Sequence, residues 1–423
     1  MPDLSCNCAG IKSPNPFWLA SAPPTNSGDQ IMRAFDHGWG GAVWKTLGDP
    51  VQNVSSRFGA LHHNGTRAVG FNNIELITDR PLATNLREIA EVKKRYPRHA
   101  VVASLMFGPR EEWVDVVRRC EDAGADGLEL NFGCPHGMCE RGMGSAVGQE
   151  PRINEEITRW VTEVASIPVL VKLTPNVGDI IPHGLASQRG GADGVALINT
   201  VKSIIGVDID RMVPLPRVGM RGTNGGYCGA AVRPIALHMV ARLARSDEFN
   251  LPISGIGGIS TWRHVVEFML LGASSIQVAT AAMLQGYRIV QDMETGLSEW
   301  MSSHGFEKLE DFIGLAVPNY SEWGDLDINY EVVAKIDEHK CIGCQLCYVA
   351  CRDGGHDAVR LREGTRVPAV DDKECVGCNL CAHVCPVEGC LAMTEVDNGM
   401  PVVSWNQHLT EGRAIVPRKA VHA

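Results

Sequence analysis

No stretch of the chain offers the roughly 18 consecutive apolar residues that a membrane-crossing helix needs. Excess positive charge is missing too. The 39 Lys and Arg against 49 Asp and Glu leave a formal net charge of −10, which argues against nucleic acid, whose binders need a basic surface. The opening residues MPDLSCNCAG have neither the basic region nor the apolar core of a secretory signal. Together these absences point to the cytosol. The G-x-G-x-x-G fingerprint is also absent, so no segment reads as a nicotinamide- or FAD-binding Rossmann unit.

What is present begins with cysteine. A reducing compartment keeps thiols free, so clustered cysteines there point to metal or redox chemistry rather than disulfides. Eight of the fifteen cysteines lie between Cys341 and Cys385, and most of the scattered remainder read as inert buried thiols. The 423 residues, 44% hydrophobic and 21% charged, leave room for one barrel-sized domain and a smaller module.

Short apolar segments recur at FWLASAPP (17–24), GAVWKTLG (41–48), VVASLMFG (101–108), GLELNFG (127–133), VLVKLTP (169–175), GVALINT (194–200), LPISGIGG (251–258) and SIQVATA (275–281). Amphipathic stretches such as EEWVDVVRRCEDAG separate most of them. Near-continuous apolar strands alternating with helices are what a parallel sheet covered by helices requires. HGWGGAVW, AGADGLEL, GGADGVAL and LGASSIQV repeat one junction, from a helix end through glycine into a strand. The expected fold class is α/β, a (β/α)8 barrel over residues 1–315. A polar linker (316–334), a ferredoxin-like module (335–395) and a tail (396–423) follow. The tail, polar and then basic, reads either as disordered or as packed on a partner.

In such a barrel, chemistry sits where strands end and loops lead to the next helix. The expected strand ends are polar: Ser21 and Ala22, Lys45 and Thr46, Asn131 with Cys134, Lys172 and Thr174, Asn199 and Thr200. The stretch ELNFGCPHG (129–137) alternates as a strand to Phe132, then breaks at Gly133 into a tight loop. GMCERGMGS (137–145) follows, and its glycines read either as a mobile lid over a site or as a structural turn. Glycine-rich GIGG (255–258) before a helix from Thr261, together with Ala279 and Thr280, ends strands seven and eight, where barrels often hold a phosphate. The NGGYCG loop (224–229) is placed to reach the same point, and a phosphate there fits a mononucleotide such as FMN.

The second module carries the sharpest spacing. Cys341, Cys344, Cys347 and Cys351 form C-x-x-C-x-x-C-x-x-x-C, and Cys375, Cys378, Cys381 and Cys385 repeat it. Such runs wrap two [4Fe–4S] clusters, the fourth cysteine of each run ligating the other cluster. One cluster is therefore expected on Cys341, Cys344, Cys347 and Cys385, the other on Cys375, Cys378, Cys381 and Cys351. Zinc sites use looser pairs. Arg352 replaces the proline that follows the second run, and Cys390 is left over as a structural thiol.

LASAPP, WKT, FNNIEL, ELNFGCPHGM, KLTPN, INTV and VRPIAL, with the two cysteine runs, resemble the dihydropyrimidine dehydrogenase family up to about residue 395. The match is to the C-terminal half of the long eukaryotic enzyme and to the catalytic subunit of the bacterial NAD-dependent form. The resemblance implies reversible reduction of uracil or thymine to the 5,6-dihydro compound in pyrimidine catabolism. Hydride would pass by way of FMN, with Cys134 as general acid and base. It implies substrate contacts from Asn73, Asn131, Asn199 and Thr200, whose amides suit the alternating N–H and C=O groups of a pyrimidine. FMN contacts are implied for Ser21, Ala22, Lys45, Thr46, Asn131, Lys172, Gly229, Ile256, Gly257, Gly258, Ala279 and Thr280. Lys172 is favoured as the cation beside the flavin ring, and His136 as an aid to loop closure. A partner subunit with FAD and the NAD(P) site is implied, in a hetero-oligomer such as a heterotetramer. Two departures stand in the loop. Gly133 occupies a position where the family often has serine, and Cys139 one where it usually has glycine.

Two other readings compete. An iron–sulfur flavin dihydroorotate dehydrogenase would share the barrel and FMN, but its carboxylate substrate favours a cationic partner over an amide-rich pocket. A non-catalytic electron-transfer subunit would need no Cys134, Asn131 or Lys172.

Overall fold

The structure is a computed structural model describing residues 2–416. It separates into two compact units, Met1–Tyr320 and Ser321–Ala423.

In the first unit, eight parallel strands close into a barrel in sequential order. They are β1 (Phe17–Leu19), β2 (Gly41–Leu47), β3 (Ala100–Leu105), β4 (Gly127–Asn131), β5 (Val169–Lys172), β6 (Gly194–Leu197), β7 (Ile253–Ile256) and β8 (Ala273–Val278). Each overlaps one of the eight apolar segments, and the expected (β/α)8 class holds. The helices after successive strands are α1 (Gly28–Asp36), α2 (Leu82–Arg95), α3 (Arg110–Asp122), α4 (Pro151–Thr162), α5 (Ile181–Arg189), α6 (Arg233–Ala244), α7 (Trp262–Leu270) and α8 (Ile289–His304). Among the described residues, no helix is long and apolar enough to cross a membrane.

The repeated junction has a physical basis. Gly38, Gly124, Gly191 and Gly272 all take positive φ, between 84° and 112°, where a side chain would be strained. In the two ADG copies the aspartate pins the turn. Asp126 Oδ2 accepts from Val101 N at 2.7 Å, and Asp193 Oδ2 from Val169 N at 2.8 Å. Each carboxylate thus satisfies a backbone donor where a neighbouring strand begins.

A hairpin of Cys6–Cys8 and Ile11–Ser13 closes the floor. Ile11 packs so close to Gly127 that a Cβ there would lie 2.4 Å from its Cδ1. The opposite rim carries a four-stranded sheet that the apolar rhythm did not reveal. Its order is Val201–Ser203, Gly225–Cys228, Thr66–Asn73, Phe58–His63.

The second unit is built on an antiparallel pair, Val332–Ile336 with Leu391–Glu395. The first of these strands begins within the stretch read as linker. Helices Leu346–Asp353 and Leu380–His383 carry cluster-run cysteines. The segment after 395, left open between disorder and a partner contact, folds onto its own unit as far as it is described. Ser404 caps a helix, Trp405–Glu411, and the buried Asn329 amide donates to the carbonyls of Pro401 (2.9 Å) and Ala414 (3.2 Å). The remainder of the tail, 417–423, lies outside the described residues.

Candidate active site

The C-terminal ends of the barrel strands and the overlying sheet enclose a cavity of about 700 Å³. The expected acid, substrate and FMN residues all line it: Cys134, the amides of Asn73, Asn131 and Asn199, Thr200, and all twelve positions implied for FMN; Thr174, also expected at this rim, does not. Strand ends explain most of this convergence. Asn73 arrives differently, from the rim sheet, at the end of strand Thr66–Asn73.

The amides are wired to one another. Asn131 Nδ2 donates to Thr46 Oγ1 (2.9 Å), which is bonded in turn to the hydroxyls of Ser104 (2.9 Å) and Ser21 (3.1 Å). Asn131 Oδ1 accepts from Asn199 Nδ2 (3.0 Å) and from Gly133 N (3.2 Å), and Asn199 Oδ1 accepts from Thr200 N (2.8 Å). These bonds fix which end of each amide is oxygen and which is nitrogen. Asn73 is oriented by donating to Gly226 O at 3.2 Å and accepting from Glu75 N at 3.2 Å.

Gly133 makes the crossing of two strand exits possible. A Cβ there would lie 2.3 Å from Asn199 Cβ, an atom that no rotation of the asparagine side chain can move away. The loop bearing Cys134 therefore rests directly on Asn199. A serine at 133 would lift one or displace the other.

Cys134 is 9% exposed, its Sγ donates to His136 O at 3.4 Å, and burial pushes its pKa up to about 11. The thiol is thus held protonated through the neutral range. His136 is buried and its Nε2 lies 2.9 Å from Glu75 O. A carbonyl can only accept, so Nε2 carries the proton, and burial lowers the pKa of the ring. The glycines beyond it answer a need of the backbone geometry. Gly137, Gly142 and Gly144 all have positive φ, while Met138, Ser145 and Val147 are buried. Ser145 N donates to Cys134 O at 3.0 Å, closing the loop on itself. Cys139 sits in this loop with its Sγ 3.2 Å from Pro135 O.

Two buried lysines reach the cavity, each facing a carboxylate. Lys45 Nζ lies 2.5 Å from Glu75 Oε1, and Arg57 holds the other oxygen of Glu75. Lys172 Nζ lies 3.4 Å from Glu129 Oε1. Glu75 also lines the cavity and was missed from sequence, although it stands within the FNNIEL motif, two residues after Asn73.

At the other end, Gly229, Gly257 and Gly258 have φ of +85°, +137° and +71°. A Cβ on Gly258 would sit 2.8 Å from Gly229 O, so only glycine lets these loops meet. A short helix, Thr280–Gln285, follows β8. The group implied here is FMN, and the residues fit it. The cavity has a glycine cradle at one end, amides and a thiol at the other, and a buried acceptor without a partner, Gln277 Oε1, in its wall.

The second unit contains two thiol cages. One cavity is lined by Cys341, Cys344, Cys347 and Cys385, the other by Cys351, Cys375, Cys378 and Cys381. The grouping is the crossed one expected from the spacing. The cages share a local geometry. Gly343 and Gly377 have φ of +65° and +71°, and Gln345 and Asn379 of +63° and +65°. Four thiols around each cavity, drawn from runs of this spacing, suit a polynuclear cluster. Cys390, read as a leftover, lines the first cage, buried, with its Sγ 3.7 Å from Asp337 O.

Comparison with known proteins bears on both units. The chain is 46% identical over 396 residues to the NAD-dependent dihydropyrimidine dehydrogenase subunit PreA of Escherichia coli, covering 93% of this chain and 96% of that one. The chain belongs to the dihydropyrimidine dehydrogenase family. The chloroplastic dihydropyrimidine dehydrogenase (NADP(+)) of Arabidopsis thaliana is 41% identical over 338 residues, 77% of this chain and 79% of its own. The catalytic subunit of dihydroorotate dehydrogenase B (NAD(+)) from Pyrococcus horikoshii is 36% identical over 321 residues, 74% of this chain and 98% of its own. The dihydroorotate dehydrogenase family model matches residues 3–301 and the 4Fe-4S dicluster domain model residues 334–393. This family member is thus an oxidoreductase with a flavoenzyme-type barrel and a dicluster domain on one chain.

Proposed function

We propose that the chain reversibly reduces uracil or thymine to the 5,6-dihydropyrimidine, as the catalytic subunit of a cytosolic NAD(P)-dependent dihydropyrimidine dehydrogenase. The observation that carries this reading is a buried thiol, Cys134, whose pKa burial raises, in the same cavity as a fixed set of amides.

Residues Ser21, Ala22, Lys45, Thr46, Lys172, Gly229, Ile256, Gly257, Gly258, Ala279 and Thr280 would hold FMN. The cysteine cages would hold two [4Fe–4S] clusters. When bound, FMN supplies two-electron hydride chemistry and the clusters pass single electrons to or from a partner subunit bearing FAD and the NAD(P) site. Asn73, Asn131, Asn199 and Thr200 orient the pyrimidine, whose edge alternates donors and acceptors as theirs do. Hydride addition to the ring carbon β to a carbonyl leaves charge on the α carbon, C5, and Cys134 Sγ gives C5 its proton. In the reverse direction the sulfur takes that proton back. Gly133, His136 and the bonded loop hold the sulfur in place and exclude water from it.

The dihydroorotate reading draws on the barrel's family model and the archaeal relative. Against it, Lys45 is closely paired with Glu75 and the groups bonded to Asn131 are neutral, which leaves Lys172 and Arg67 as the cavity cations a carboxylate would have to reach. The test uses purified protein with measured FMN and iron, reduced anaerobically and mixed with uracil. Flavin reoxidation should follow in the wild type. It should slow by about 10²–10⁴-fold in Cys134→Ala with FMN and iron still bound. Equal rates would move the acid elsewhere. Oxidation of dihydroorotate but not dihydrouracil would establish the rival, and FMN that responds to neither would favour an electron-transfer subunit.

A further inference from the structure

Glu129 has no part in the chemistry above, yet it is a fully buried carboxylate in the barrel interior. It stands on β4, one position before Leu130 turns outward and two before Asn131 reaches the cavity. Asn131 of β4 pairs in register with Lys172 of β5. One oxygen of Glu129 is anchored: Gln277 Nε2, from β8, donates to Oε2 at 2.9 Å. Gln277 is in turn held by Ser254 Oγ of β7 at 3.2 Å, and Ser275 Oγ donates to the same Ser254 oxygen at 2.8 Å. The other oxygen, Oε1, accepts no hydrogen bond and faces Lys172 Nζ at 3.4 Å. Lys172 and Gln277 line the cavity, while Glu129 lies behind them.

This arrangement is not that of a closed ion pair. At 3.4 Å the ammonium balances the charge of Glu129 without being committed to it, so its protons remain available to the cavity. We propose that Glu129 is a positioning residue for the cofactor. It holds Lys172 at the cavity wall and offsets part of the charge that Lys172 presents to the flavin ring, thereby lowering the reduction potential of bound FMN. The inference rests on the FMN reading above. It assigns the barrel's buried acid a role in setting how readily electrons are accepted, distinct from proton transfer at Cys134.

With the carboxylate present, the buried site carries one negative and one positive charge. Removing the negative charge leaves the lysine unbalanced in a poorly screened place, where it favours added electron density. A purely structural Glu129 would serve only to tie β4 to Gln277 and the serines. A glutamine could serve that purpose about as well.

The experiment measures the FMN midpoint potential by anaerobic dye-linked titration of the purified holoprotein and of Glu129→Gln. E129Q should bind reduced FMN at least tenfold more tightly relative to oxidised FMN, a rise of about 30 mV for a two-electron couple. Glu129→Asp keeps the charge and should shift the potential by less than half as much. Adding Lys172→Met to E129Q should abolish the rise. Unchanged potential in E129Q with FMN bound overturns the proposal, as does a folded E129Q protein that no longer binds FMN. If E129Q fails to fold, a rise in E129D as large as a tenfold ratio overturns it instead, and a smaller one supports it. Wild-type protein without FMN would defeat the cofactor reading itself, a separate outcome.

Discussion

The barrel buries Trp18, Trp39, Trp44 and Trp113 completely, whereas three of the eight buried residues in the core of the cluster unit are cysteines, Cys347, Cys375 and Cys381. Around those cysteines, apolar side chains lie open: Ile342 is 65% and Val376 41% exposed. One unit is thus filled by large side chains that need nothing else. The other has too few of them, and its interior is shaped around two cavities walled by thiols. Small domains without an adequate core depend on metals or disulfides. The two proposed cofactor classes should therefore stand in different relations to folding. Cluster loading should be part of folding in the second unit, while FMN should enter a barrel already formed.

The strongest way to break this contrast is to remove the iron. Oxidative chelation, or Cys347→Ser, should leave Ser321–Ala423 open to complete digestion, while Met1–Tyr320 survives as a protease-resistant fragment that still binds FMN. Limited proteolysis with mass spectrometry reads both. Equal resistance of the two units after iron loss would sink the idea. Within the barrel, Gly133→Ser sharpens it at a single contact. Forcing a Cβ against Asn199 costs on the order of 1–3 kcal/mol, as overpacking does, so kcat/KM for uracil should drop roughly 5- to 160-fold. The alkylation rate of Cys134 should change with it while the barrel's melting temperature moves little. Steady-state kinetics and thiol labelling check this, and wild-type values in both would show that the contact does not couple Cys134 to Asn199. The smallest effect is expected from Ser404→Ala. Loss of its cap on the helix Trp405–Glu411 should cost about 1 kcal/mol, and only in the cluster unit's thermal transition. An unfolding scan of the holoprotein that showed no change there would mean the helix is held by Asn329 and its neighbours alone.

The barrel strands were legible because parallel strands buried on both faces read as apolar runs, and Gly38, Gly124, Gly191 and Gly272 marked each repeat. The rim sheet was not. Phe58–His63 is exposed along nearly its whole length, so its sequence keeps no alternation to read. At the site, polar residues at strand ends declared Lys45, Thr46, Asn131 and Asn199 directly. Asn73 came only through resemblance, since its strand belongs to the rim sheet. Glu75 and Glu129 were unreadable for a different reason. A carboxylate's partner is set by register between distant strands, and no spacing along the chain shows that Glu129 will face Lys172. The tail's helix was hidden in polar sequence, since its anchor, Asn329, lies far away in the stretch read as linker.

The crossed cages also set the order in which the growing chain completes their thiols. The cage of Cys351, Cys375, Cys378 and Cys381 has all its thiols once Cys381 has left the ribosome. The cage that owns Cys341, the first cysteine of the runs to emerge, closes only with Cys385. The earliest thiols wait longest for their fourth partner, so a nascent chain stalled between 381 and 385 would be able to complete one cage and leave the other a ligand short.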